Sequence, residues 1–178
     1  MSFVLLPDII LPALTDVTPA LLTERGITWL LLDFDNTIVP YTTNEPTPEM
    51  AAWIERMQAS PVQLCVVSNS KRQRMPDFCR KYGINYIARA RKPFQRGIRE
   101  AIRVYHLDPA HTALVGDQIY TDVLGANCGG LTSILISAIH NHTIWLKLRH
   151  VAELPFIALG RLSIAAKARR DGKSRQKS

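Results

Sequence analysis

Ile27-Thr28-Trp29-Leu30-Leu31-Leu32-Asp33-Phe34-Asp35-Asn36-Thr37-Ile38 is an almost wholly apolar run that breaks into two carboxylates. Residues 27–34 hold few polar side chains, so they read as a strand buried on both faces, the pattern of a parallel sheet covered by helices. Val62–Val67 is a second run of this kind; a short strand near Asn85–Ile87 follows, then His111–Val115 and Leu131–Ile136. Helix signals lie between them. Thr18-Pro19 and Thr47-Pro48 each pair a capping side chain with a proline at the first helical position. Gly26 and Gly83 are placed to close helices, the second ending a segment from about Lys71. Further helical segments are predicted from about Phe94 to His106 and from Thr121 to about Cys128.

Strands separated by helices require right-handed crossovers and give a parallel sheet with helices on both faces. In such folds the ligand sits beyond the carboxyl ends of the strands. The chemically unusual residues stand there. Asp33 and Asp35 follow the first strand, Ser68-Asn69 the second, Lys92 the third and Asp117 the fourth, with Asp122 five residues on. Strand periodicity points Asp33 and Asp35 to one side, where their mutual repulsion calls for a positive partner. A few oxygen ligands beside a phosphate site are the set that Mg²⁺ uses. Lys92 supplies a point charge for a phosphoryl oxygen, and Ser68 with the turn after it supplies a hydroxyl and N–H donors. A carboxylate that attacks a phosphate dianion must overcome like-charge repulsion, and a cation together with Lys92 offsets it. In this reading Asp33 is the nucleophile and Asp35 protonates the leaving oxygen, then deprotonates the hydrolytic water.

Asp33-Phe34-Asp35-Asn36-Thr37-Ile38 resembles the first motif of the haloacid dehalogenase (HAD) superfamily. Val66-Val67-Ser68-Asn69 resembles the second, Lys92-Pro93 the third, and Val115-Gly116-Asp117-Gln118 through Thr121-Asp122 the fourth. Each is weak alone; four in order are specific. More narrowly, Asp35-Asn36-Thr37, Arg89-Ala90-Arg91-Lys92-Pro93 and Gly116-Asp117-Gln118 leading to Thr121–Asn127 resemble the YqeG family of subclass IIIA, which is related to phosphatases of phosphatidylglycerophosphate. The resemblance spans about residues 4–150. One departure is Ser68-Asn69-Ser70, where Ser-Asn-Asn is expected.

The resemblance implies an α/β, three-layer α/β/α HAD-like (Rossmannoid) fold. Its parallel sheet would have five strands in the order 5-4-1-2-3, with no cap domain. It implies catalysis by Asp33 and Asp35, phosphate binding by Ser68, Asn69 and Lys92, and Mg²⁺ held by Asp33, Asp35 (through its carbonyl), Asp117 and Asp122. The gap between Phe34 and Thr47 holds a loop rather than a domain, so the site is expected to be open. An open site suits a substrate presented on a large body, and phosphatidylglycerophosphate is the favoured one. Alternatives are a soluble nucleotide, sugar or protein phosphatase and, in another class, a non-catalytic binding module with a basic tail.

The chain's 178 residues, 47% of them apolar, suit one core. The expected division is an N-terminal extension packing on the core (1–26), a phosphatase domain (27–152) and an amphipathic, basic tail (153–178). Residues 161–178 hold seven basic side chains and one acid, a net of +6, which leaves +1 on residues 1–160. Such an arm seeks a polyanion or stays solvated. Peripheral membrane contact through it is one expectation; nucleic acid is disfavoured by the near-neutral body. Ile144–Ala152 carries an apolar helical stripe, and His140-Asn141-His142 reads as a loop rather than a metal site. No apolar run reaches the ~20 residues that span a bilayer. No Lys or Arg precedes Arg25, and Pro7, Asp8 and Pro12 break the first apolar stretch, a poor secretory signal. Cys65, Cys79 and Cys128 form no CxxC pair and read as buried reduced thiols of a cytoplasmic protein.

Overall fold

The computed structural model describes residues 5–40, 42–139, 157–160, 162, 164 and 165. Its strands are β1 (Ile9–Leu11), β2 (Trp29–Leu32), β3 (Gln63–Val67), β4 (Asn85–Ile87), β5 (Thr112–Gly116) and β6 (Thr132–Ile136). Its helices are α1 (Pro19–Thr23), α2 (Pro48–Gln58), α3 (Arg74–Tyr82), α4 (Arg96–Tyr105) and α5 (Leu124–Gly129). The strands form one parallel sheet in the order β1-β6-β5-β2-β3-β4. The five strands expected from the sequence stand in the expected order, and β2 lies inside the sheet between β5 and β3.

A sixth strand corrects the count. Ile9–Leu11 pairs in parallel with Ile134–Ile136 at the edge of β6. Asp8 sets the register: its carboxylate accepts from the Ser133 N–H and hydroxyl, each at 2.9 Å, and its own N–H donates to the Ser133 hydroxyl at 3.0 Å. The three residues of β1, between Asp8 and Pro12, are too few to show a strand's alternation, so in sequence they read only as part of an extension.

Alternation along β2 divides the core, as a period of two requires. Leu30, Leu32 and Phe34 face one layer with Trp53, Met57 and Phe78, whereas Leu31 faces the other with Cys65, Ile98 and Ala101. The buried Trp53 keeps its ring N–H satisfied by donating to the Val17 carbonyl at 2.8 Å. Thr18 and Thr47 cap α1 and α2, accepting from the N–H groups of Leu21 and Met50 at 3.2 Å.

Some boundaries differ from expectation. Helix α3 begins at Arg74 rather than Lys71, because residues 68–70 are tied into the strand-end turn, with the Ser70 N–H on the Ser68 hydroxyl. Phe94 stands in a turn closed onto the Arg91 carbonyl, so α4 starts two residues later than predicted. The segment from Thr121 divides into a π turn over Ile119–Val123 and the α-helix α5. Cys65 and Cys79 are buried, and burial pushes both thiols up to about 12, but Cys128 is exposed on α5.

No helix among the described residues is long and apolar enough to cross a membrane. The His140–His142 pair, the Ile144–Ala152 stripe and every basic residue of 161–178 lie outside the described residues.

Candidate active site

The site lies at the carboxyl ends of β2, β3, β4 and β5. Beyond Leu32 the chain leaves the sheet through a tight turn. The N–H groups of Ile38 and Val39 close onto the Phe34 carbonyl, and Asn36 takes a left-handed backbone at φ 60°. Asp33 stays docked on the sheet, its N–H donating to the Val115 carbonyl at 2.9 Å.

Asp33 and Asp35 pair with different cations. The Lys92 ammonium, brought in from beyond β4, lies 2.7 Å from Asp33 Oδ1 and 2.7 Å from Asp122 Oδ1. Its residue and both acids are buried. Burial opposes the ammonium charge, but Asp122 and Asp33 together outweigh it and hold the Lys92 pKa above its ordinary value. For Asp122, burial and then the Asp33 charge push the carboxyl up, against the pull of Lys92. One ammonium shared by two acids leaves the deeper acid under-compensated. Asp35 instead pairs with Arg74 at the start of α3. The same guanidinium donates to the Pro40 carbonyl at 3.1 Å and the Thr43 carbonyl at 2.6 Å, and lies over the Phe34 ring at 5.1 Å.

Asp33, Asp117 and Asp122 each offer a carboxylate oxygen, all within 4.8 Å of one another. The set suits a hard divalent cation: oxygen ligands alone, three buried carboxylates, and a single ammonium between two of them. Gly116 makes the approach of Asp122 possible, since a Cβ there would meet Asp122 Oδ2 at 2.3 Å. The carboxylate is also held by the Gln118 N–H at 3.2 Å.

Ser68 is buried, and its hydroxyl accepts from the Ser70 N–H at 3.1 Å. Asn69 grips the main chain of Lys92 by both ends of its amide: Oδ1 accepts from the Lys92 N–H at 2.6 Å, and Nδ2 donates to the Lys92 carbonyl at 2.9 Å. The structure thus brings Lys92 into contact with Asp33 and Asp122 and clusters Asp117 with those two acids, with Ser68 and Asn69 on the adjoining turn and Asp35 paired to Arg74. Sequence reasoning missed Arg74. Nothing in its spacing marks it; the one available signal is a basic residue heading a helix just after a strand-end loop.

Parallel strands in this order, with acids, Ser-Asn, Lys-Pro and a second acidic pair at successive strand ends, define a hydrolase of the HAD class. A HAD-hydrolase-like family model matches residues 89–143. The probable phosphatase YqeG of Bacillus subtilis (strain 168) is 34% identical over 131 residues, covering 74% of this chain and 76% of that protein. The chain belongs to the YqeG family of HAD-like phosphatases. Solved structures share the fold. A subfamily III A HAD hydrolase from Legionella pneumophila superposes with a TM-score of 0.51 at 11% identity, covering 85% of this chain and 94% of that one. An uncharacterized protein from Listeria monocytogenes serotype 4b gives 0.53 at 15% identity, covering 66% and 84%. The deoxy-D-mannose-octulosonate 8-phosphate phosphatase of Haemophilus influenzae gives 0.51 at 12% identity, covering 70% and 75%.

Proposed function

We propose that the protein hydrolyses phosphomonoesters through an aspartyl-phosphate on Asp33, with Mg²⁺ held by Asp33, Asp117, Asp122 and the Asp35 carbonyl. The observation that carries this reading is the buried Lys92 ammonium 2.7 Å from Asp33, with Asp117 and Asp122 beside it. When bound, Mg²⁺ offsets the negative charge of the phosphoryl group and of the acids around it. The Asp33 oxygen forms a bond to phosphorus as the bond to the leaving oxygen breaks, and Lys92 stabilises the charge on the equatorial oxygens. In its protonated form Asp35 gives a proton to the leaving oxygen and becomes a carboxylate, the form that pairs with Arg74. It then takes a proton from the water that attacks phosphorus, which releases inorganic phosphate and restores Asp33. Ser68 and the turn after it hold the phosphoryl group, and Asn69 acts there by fixing Lys92.

Phosphatidylglycerophosphate is the favoured substrate. The open site supports it, since no domain interrupts the described residues between β2 and α2 or between β4 and α4. The test is a phosphatase screen over lipid and soluble phosphomonoesters, with Mg²⁺ and with chelator, on wild type and Asp33→Asn. Lipid phosphate release that needs Mg²⁺ and Asp33 supports the reading. Residual activity of the variant above about a tenth of wild type overturns the covalent mechanism at Asp33, since the amide cannot attack phosphorus. A clear preference for a soluble ester overturns the lipid substrate.

A further inference from the structure

The segments beyond β3 and β4, residues 68–73 and 88–96, the second reaching the first residue of α4, carry six basic side chains and no acid. Lys92 is buried in the site; the other five, Lys71, Arg72, Arg89, Arg91 and Arg96, are exposed. None of the five forms an ion pair among the described residues. The Asn69–Lys92 clasp joins the two segments at the residue whose ammonium meets Asp33, so these charges flank that residue in the chain or lie on the loop clasped to it. Phe94 lies between Arg91 and Arg96 in the chain and is 74% exposed.

The backbone turns two of these charges outward at a conformational cost. Arg89 and Arg91 take φ values of 54° and 56°, a region that favours glycine. Ala90 between them is buried, its N–H on the Ser68 carbonyl, and packs so closely on Gly97 that a Cβ there would lie 2.4 Å from the Ala90 Cβ. The buried alanine anchors the strained tripeptide and leaves both arginines facing solvent. Strain of this kind persists where the surrounding structure holds it, and it clusters at functional positions.

We propose that this rim is a docking surface for an anionic phospholipid bilayer, which seats the mouth of the site on the membrane; the inference rests on the lipid-phosphatase reading above. Exposed Lys and Arg are drawn to an anionic leaflet, and an exposed apolar ring such as Phe94 buries at the boundary of headgroups and acyl chains. Because the rim flanks Lys92, whatever docks there is brought toward Asp33. A nucleic acid carries phosphomonoesters only at its ends, whereas a lipid phosphomonoester lies in the plane of the surface that the rim would meet.

The test uses the full chain and vesicles of phosphatidylglycerol with phosphatidylcholine, against phosphatidylcholine alone, free of any phosphomonoester. Co-sedimentation of Lys71→Gln/Arg72→Gln/Arg96→Gln is expected to weaken about 100-fold at unchanged thermal midpoint, from the worth of each basic residue near such a surface. Arg89→Asn/Arg91→Asn, which suits the left-handed backbone, is expected to weaken about 30-fold. In Phe94→Trp, emission beyond that of wild type should shift to the blue on anionic vesicles and be quenched by brominated lipid. Equal binding of rim variants and wild type overturns the proposal. So does an unmoved Phe94→Trp signal while the protein sediments, or rim-dependent binding to single-stranded RNA without binding to vesicles. Lipid phosphate release is read separately in neutral detergent micelles. Its loss alone counts against the lipid substrate, and loss of vesicle docking alone counts against the rim.

Discussion

Asn69 holds Lys92 by its main chain, with one end of the amide on the lysine N–H at 2.6 Å and the other on its carbonyl at 2.9 Å. Two strand-end loops, 23 residues apart in the chain, are locked together at the residue whose ammonium meets Asp33. Removal of this clasp in Asn69→Ala should lower kcat by about 10- to 100-fold, because small misplacements of a catalytic group are costly. The fold should survive with a loss of about 1–2 kcal/mol, the worth of two hydrogen bonds. Steady-state kinetics and urea unfolding on one preparation check both. An unchanged kcat would show that Lys92 needs no such support.

Arg74 is expected to act through Asp35. Proton donation matters most for poor leaving groups. Arg74→Ala should therefore slow an alkyl phosphate by about 10- to 100-fold but an activated aryl phosphate only about 3-fold or less. Arg74→Lys should restore part of the loss, since it keeps the charge but not the fork that also reaches Pro40 and Thr43. Asp35→Asn should go further and let phosphate accumulate on Asp33 with an activated ester, visible by mass spectrometry after acid quench. Equal losses on both ester classes would detach Arg74 from proton transfer.

The Asp122 carboxyl, raised from 3.8 to about 6, sets the sign of a pH effect in chelator. Between these values the folded state binds more protons than the unfolded chain. Stability therefore falls as pH rises through about 4 to 6 and levels off above. The contribution is on the order of 1–3 kcal/mol. Asp122→Asn removes it, so the difference in urea midpoint between wild type and variant should vary across this window and flatten above pH 7. A difference independent of pH would deny the shift.

Gly116 admits no side chain. A Cβ there would lie 2.3 Å from one Asp122 oxygen and 2.4 Å from its carboxyl carbon. Gly116→Ala should cost about 1–3 kcal/mol of stability, as overpacking does, and should weaken Mg²⁺ affinity measured by calorimetry. Wild-type affinity in the variant would show that Asp122 has room to relocate.

The sequence exposed most of this arrangement because a parallel sheet collects its functional residues at strand ends. Asp33, Ser68, Lys92 and Asp117 each follow an apolar run, and that placement is readable without coordinates. Lys92 and Asp122 were expected near the site, but their direct ion pair depends on a crossover that brings β4 and β5 to opposite sides of β2. Arg74 was invisible because helical position, not spacing, aims it at Asp35. Strand β1 was invisible for a different reason: three residues carry too little periodicity, and their partner lies at the far end of the domain.

That partnership bears on synthesis. Ile9 waits for Ile134, 125 residues downstream, as Asp8 waits for Ser133. At ribosomal rates of about 5–20 residues per second, the leading segment spends on the order of 6–25 seconds without its neighbour. During that interval Ile9-Ile10-Leu11 is an apolar ribbon on a nascent chain, flanked by Pro7 and Pro12, which limit its pairing with stray strands. Strand β1 joins the sheet only when β6 has emerged, so residues made early are among the last to be locked in place.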